Sequence, residues 1–186
     1  MKRTHEDAFT GLEAAIVLIA FIVIAAVFAN VVLGAGFFTT QKSQETVYKG
    51  IEQASSNIQM IGQVYGLATD VSAGINEIKF SIILAPGSPS SDLTKMQVVF
   101  STPSSTSGPV TLTRGDTAST TTFTTKENGR DVVSSLSDGQ QVELDFMVAA
   151  VPKSTTMTIE VRPAVGASLP FSKTTPATIS GTNMLY

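Results

Sequence analysis

The sequence predicts an α+β protein: a long N-terminal α-helix followed by an Ig-like antiparallel β-sandwich. Three observations carry this reading. Residues 9–68 contain no Pro and keep a helical spacing of apolar side chains, whereas all eight Pro residues come after residue 85. From about residue 75 the apolar pattern switches to period two, the mark of strands with one face buried. Between them, "ATDVSAGIN" (68–76) marks a break in composition. The chain divides into a short charged segment, 1–8, a helix over 9–70, and a β domain over 71–186.

The helix opens inside "EDAFTGLEAAIVLIAFIVIAAVFANVVLGAGFF", residues 6–38. After Glu13 the next charge is Lys42, and Asn30 is the strongly polar side chain of the run. Leu12–Phe38 is 27 residues. At about 1.5 Å per residue that is roughly 40 Å, enough to cross a hydrocarbon layer of about 30 Å. An ordinary secretory leader has an apolar stretch of only about 7–15 residues with small residues after it. Here the run is longer and the small residue, Ala8, precedes it. The Lys2-Arg3 pair predicts a cytoplasmic N-terminus. Gly34 and Gly36 either bend the helix or let a neighbour approach.

From Val47 the pattern turns amphipathic. Val47, Ile51, Ala54, Ile58, Ile61, Tyr65 and Ala68 follow steps of four and three, a coiled-coil-like seam. Such a stripe serves either packing on the chain's own domain or packing on a neighbour. Gly50, Gly62 and Gly66 weaken the helix by about 1 kcal/mol each relative to Ala.

The second half alternates cleanly. Ile78, Phe80, Ile82 and Leu84 share one face of "EIKFSIIL", with Lys79 and Ser81 on the other. Met96, Val98 and Phe100, then Val142, Leu144, Phe146 and Val148, then Met157, Ile159 and Val161 repeat the pattern. Glu143, Asp145, Thr158 and Glu160 fall on the wet faces. Pro86-Gly87, Ser107-Gly108-Pro109, Asn128-Gly129 and Asp138-Gly139 supply turns. With two or three weaker strands over 108–130, the count is about seven in roughly 100 residues, the size of an Ig-like sandwich.

Composition narrows function by exclusion. The chain has 186 residues, 15% charged, with net charge −3, so no basic surface points to nucleic acid. It has no Cys, and its single His is His5, which removes the commonest nucleophiles, bases and metal ligands. Asp116, Glu127, Asp131 and Asp138 fall in predicted loops without EF-hand spacing. Glu143 and Asp145 alternate on a wet face and do not form an acid–base pair. No phosphate-binding, dinucleotide or nucleophile-elbow motif occurs. No enzyme, cofactor or metal site is expected. No N-x-[ST] sequon is present.

That leaves Glu13. A carboxylate in hydrocarbon costs about 2.5 kcal/mol or more, so such a residue points to a functional pairing. Cleavage between Ala8 and Phe9 would create an α-ammonium at Phe9, with Glu13 as the fifth residue after it. That ammonium, from the same or a neighbouring chain, is the partner Glu13 needs. The alternative is a simple first-turn acid favoured by the helix macrodipole.

"EDA" followed by "FTGLEAAIVLIAF", with its acid at the fifth position, resembles the class III leader of type IV pilins and archaeal flagellins. More narrowly, "FTGLEAAIVLIAF", "VVLGAGFFTTQKSQE" and "ISGTNMLY" resemble archaellins, the subunits of the archaeal flagellar filament. Ala8 departs from the pattern, since the family most often has Gly before the cut. The resemblance implies a precursor held in the cell membrane and a leader peptidase that removes residues 1–8. It further implies an assembly platform, an ATPase-driven motor and an extracellular homopolymer of many identical subunits used for swimming. Sugars, as archaellins often carry, would then sit on Ser/Thr-rich loops such as "PGSPSSD" or "DTASTTTFTTK".

The physics of the helix agrees. An apolar rod is equally at home in lipid and in a shared dry core, and transfer between them exposes little apolar area to water. Identical subunits joined by contacts that do not close form open helical polymers. Cleavage would delete Lys2, Arg3, Glu6 and Asp7 from the tip that enters the core. Two other functions use the same parts: an adhesive pilin-like subunit, separated by its loss phenotype, and a membrane-anchored extracellular binding module, separated by staying monomeric.

Overall fold

The computed structural model describes residues 3–103 and 108–186. Its one long helix, α1, runs over Arg3–Ser55. Two compact units are distinguished, Met1–Lys49 and Gly50–Tyr186. Residues 3–49 of the first are helix.

The second unit holds the end of α1 and the strands β1 (Ile58–Leu67), β2 (Ile75–Leu84), β3 (Ser91–Asp92), β4 (Gln97–Ser101), β5 (Val110–Arg114) and β6 (Thr122–Glu127). It continues through β7 (Asp131–Val132), β8 (Ser135–Leu136), β9 (Gln141–Val151), β10 (Thr156–Arg162), β11 (Leu169–Thr174) and β12 (Thr182–Leu185). The main path of neighbours is β11-β10-β4-β5-β6-β9-β2-β1-β12. Every pairing along it is antiparallel except the short parallel contact of β5 with β6, through Thr113↔Thr122 and Arg114↔Phe123.

The path folds over at that parallel contact and makes two layers. Phe80 of β2 meets Phe171 of β11 edge-on at 5.2 Å between ring centroids, and Phe100 of β4 meets Phe146 of β9 at 6.0 Å. Such edge-to-face pairs join opposing sheets. The far ends of the path also meet: Thr174 and Tyr186 exchange backbone hydrogen bonds of 2.6 and 3.3 Å. The result is a mostly antiparallel sandwich with one side drawn closed, which protects strand edges.

The alternating residues fill the core as the pattern predicts. Ile78, Phe80, Ile82, Leu84, Met96, Val98, Val142, Leu144, Phe146, Met157, Ile159 and Val161 are all buried. Three of the turns read from Gly hold too: Asn128 and Gly129 have φ of 50° and 73°, and Gly87 and Gly139 have φ of 81° and 74°, while Ser107 of the fourth lies outside the described residues. Positive φ is favourable for Gly and tolerated by Asn.

The helix reads differently at its C-terminal end. The expected helix over 9–70 stops at Ser55, and residues 58–67 are strand β1. The seam therefore splits. Val47, Ile51 and Ala54 lie on α1, while Ile58, Ile61 and Tyr65 lie on β1, where Ile58 is buried and Ile61 and Tyr65 are exposed. Two features outweigh the four-three spacing. "SSN" at 55–57 is a poor helix continuation, because short polar side chains compete for the backbone. Beyond it, Ile58, Val64 and Gly66 face inward and the backbone finds ladder partners on both sides, β2 and β12. Gly62, at φ 77°, sits in the bulge between Ile61 and Tyr65 that lets the two halves of β1 keep their faces.

Candidate assembly site

The helix itself is the candidate site. Its apolar side chains are unpartnered: from Leu12 to Phe38 every large one is more than half exposed, including Phe21 and Phe28 at 69%. It is long and apolar enough to cross a membrane, and the most apolar stretch has a mean hydropathy of 3.1 with none of it buried. A free surface of this kind is untenable in water. Burying it is worth about 1.5–3 kcal/mol for each large side chain.

The polar residues at the end of the run make their own hydrogen bonds. The hydroxyls of Thr39 and Thr40 donate to the carbonyls of Ala35 and Gly36, one turn back, each at 2.9 Å. Satisfied in this way, they add little polar demand to a dry surrounding. Charge resumes just beyond, where Glu45 bridges Lys42 at 2.7 Å and Lys49 at 2.8 Å on one helix face. The run thus changes from internally bonded hydroxyls at Thr39 and Thr40 to ion pairs from Lys42 onward.

Ala8, Phe9 and Glu13 all lie within α1. The side chains of Ala8 and Phe9 are outside the described ones. Glu13 is exposed and lies in a shallow groove with Thr10, Ala14, Val17, Leu18 and Phe21, so its carboxylate sits among apolar neighbours. Glu13 stands four residues beyond Phe9, one helical turn away, the spacing at which two groups on a helix meet.

On the β unit, Asp145 departs from its expected place. It lies on the outer face of β9 yet is only 3% exposed, beneath the side chains around it. Lys126 reaches its Oδ2 at 3.4 Å and Lys79 at 3.7 Å, and Lys79 also bridges Glu77 at 2.9 Å. Its Oδ1 is buried without a hydrogen-bond donor. The cross-strand register Lys79↔Asp145↔Thr124 creates this cover, and period-two patterning alone does not reveal it. Burial, then the neighbouring Glu77 carboxylate, push Asp145 above the ordinary 3.8. Burial opposes ionisation of Glu77 as well, but the Lys79 ammonium bonded to it prevails and holds Glu77 below its ordinary value. Two cations offset two acids, and the cluster joins β2, β9 and β6.

The loop acids remain scattered. Asp116 follows β5, Glu127 ends β6 and accepts a 2.9 Å hydrogen bond from Gln140, Asp131 begins β7 and Asp138 lies in the turn before β9. Among the described residues no three His, Cys, Asp or Glu side chains are grouped to hold a metal ion.

With the helix and sandwich in view, comparison with known proteins decides the family. The profile of the archaeal-type flagellin family matches residues 8–173. The chain belongs to this family. Over 99% of its length it is 35% identical to "Probable flagellin 2" of Archaeoglobus fulgidus, spanning 96% of that protein. To "Probable flagellin 1" of the same organism it is 48% identical over 99 residues, which span about half of that relative (49%). Among solved structures, it superposes on the subunit described as the archaeal flagellum of Methanospirillum hungatei strain JF1 with TM-score 0.75. There the identity is 31%, and 95% of this chain and 99% of that chain are covered. This archaellin is therefore a structural filament subunit and not an enzyme, and the filament contains many copies. The comparisons favour neither the adhesive subunit nor the solitary binding module.

Proposed function

We propose that the archaellin is stored as a membrane precursor, cut between Ala8 and Phe9, and then polymerised outside the cell into a rotary swimming filament. The observation that carries the reading is the bare apolar helix from Leu12 to Phe38 with its single carboxylate, Glu13, near the tip. Before the cut, Lys2, Arg3, Glu6 and Asp7 hold that tip at the cytoplasmic interface, because charges resist entry into hydrocarbon. After it, the four charges are gone and one ammonium remains, within a helical turn of Glu13.

Lipid and the filament axis are both dry, so the helix moves between them without passing through water. A membrane peptidase supplies the cut, and an assembly platform with an ATPase motor extracts and rotates the polymer. The β unit, with its wet outer faces, forms the extracellular surface. A bulky substitution, Ala8→Phe, tests the switch by blocking cleavage. The expected outcome is full-length precursor in the membrane fraction and no filaments in the sheared fraction. Filaments containing uncut chains, shown by N-terminal sequencing, contradict the proposal.

A further inference from the structure

The end of α1 is gripped by two loops that are remote in sequence. Ser55 is the last helical residue and Ile58 the first of β1, so two residues join them. The Ser88 hydroxyl, from the loop between β2 and β3, donates to the Ser55 carbonyl at 2.8 Å. The Ser88 hydroxyl oxygen in turn accepts from the Asn57 amide at 3.3 Å. The Ala85 amide donates to the Asn57 carbonyl at 2.9 Å. From the other side, the Ser56 hydroxyl donates to the carbonyl of Val165, in the loop between β10 and β11, at 3.0 Å. Ser56 and Ser88 are both buried, at 4% and 7% exposure. Gly166 closes the grip: with φ +104° it packs so near that any Cβ would collide with the Ser56 carbonyl oxygen and lie 2.9 Å from the Ser56 Cβ.

We propose that residues 55–57 form a rigid coupling between the helix end and the sandwich, with Ser88 and Gly166 as its positioning residues. An ordinary linker has solvated backbone and turns freely. Here successive polar groups are satisfied from opposite sides, and rotation about the junction has to break several hydrogen bonds together. In a filament, load that reaches the sandwich along the chain crosses these residues, so the coupling sets how stiffly the last turn of α1 is held on the sandwich. This step rests on the filament role above.

The test uses the full-length chain with Ser88→Ala and Gly166→Ala, and Ser90→Ala, an exposed neighbour on the same loop, as control. Amide hydrogen exchange is read at Ser56 and Ala85, whose own acceptors, Glu52 and Asn57, no substitution touches. In Ser88→Ala and Gly166→Ala these two amides should exchange about tenfold faster, as loss of a buried hydrogen bond implies. Amides of β2 and β9 should stay within about twofold of wild type, a shift far smaller than one hydrogen bond. Assembled filaments of Ser88→Ala should show a persistence length at least about twofold shorter by electron microscopy, since compliance at the coupling repeats in every subunit. If Ser56 and Ala85 match the Ser90→Ala control, or if β2 and β9 loosen equally, there is no discrete coupling. The exchange result decides this even where wild-type chains fail to polymerise, which would count instead against the assembly reading.

Discussion

Asp145 shows how much a single residue can hide from periodicity. Its position in "VELDF" assigns it to a wet face, and it does point outward, yet Lys79 and Lys126 lie over it and leave it 3% exposed. Removing a carboxylate from water favours its protonated form, and the Glu77 carboxylate beside it acts in the same direction. Below the unfolded value of 3.8 both states are protonated and Asp145 contributes nothing to pH dependence. As pH rises through its higher folded value, the folded state alone still binds the proton, and folding loses stability. Glu77 works oppositely: its folded value is lowered, so its contribution is present above 4.5 and lost as pH falls through the folded value. Asp145→Asn copies the protonated form at every pH. Its melting temperature relative to wild type should therefore climb between pH 3 and neutrality in the detergent-solubilised chain, while Glu77 keeps its own acid-side loss. Parallel melting curves for the two proteins across that range would remove the desolvation argument.

At the scale of elements, what was legible depended on whether one face alone decided the structure. β2, β4, β9 and β10 read directly from their apolar alternation, since each buries one face and wets the other. β1 reads as helix in sequence because Ile58, Ile61 and Tyr65 keep steps of three and four, whereas the inward residues are Ile58, Val64 and Gly66 and the ladder partners on either side decide for strand. β12 is four residues long and carried no pattern to read, but buries Asn183 and Leu185. Asn183 holds it in place: Oδ1 accepts from the Ser180 amide at 2.7 Å, and Nδ2 donates to the Ser180 carbonyl at 2.6 Å and to Gly66 of β1 at 3.3 Å. Asn183→Ala leaves buried backbone groups unpaired at the edge of β1, a loss of about 1–3 kcal/mol. The expected result is a lower unfolding midpoint in urea with an unchanged slope, and faster amide exchange confined to β12 and the outer edge of β1. Uniform loosening of all strands would show that β12 is not held separately.

For the whole molecule, the apolar helix was legible in sequence because its signal is local, an unbroken apolar run over residues 12–38. The grip on residues 55–57 was not, because it joins loops 31 and 109 residues away. In the assembly proposed above, Glu13 is where two accounts separate. If Glu13 pairs with the Phe9 ammonium in the dry axis of the filament, Glu13→Ala leaves a buried, uncompensated charge. Breaking such a pair costs about 3–5 kcal/mol. If Glu13 only complements the helix macrodipole, the loss is about 0.3–1 kcal/mol. The larger value lowers incorporation by a factor of about a hundred or more, whereas the smaller changes it by about fivefold at most. We expect the first result: cleaved Glu13→Ala chains, with Phe9 at their N-terminus, should accumulate in the membrane fraction while sheared filament nearly disappears. Glu13→Gln should fail in the same way, because it preserves size and loses only the charge. Filament yields near wild type from either variant would leave the macrodipole as the whole role of Glu13.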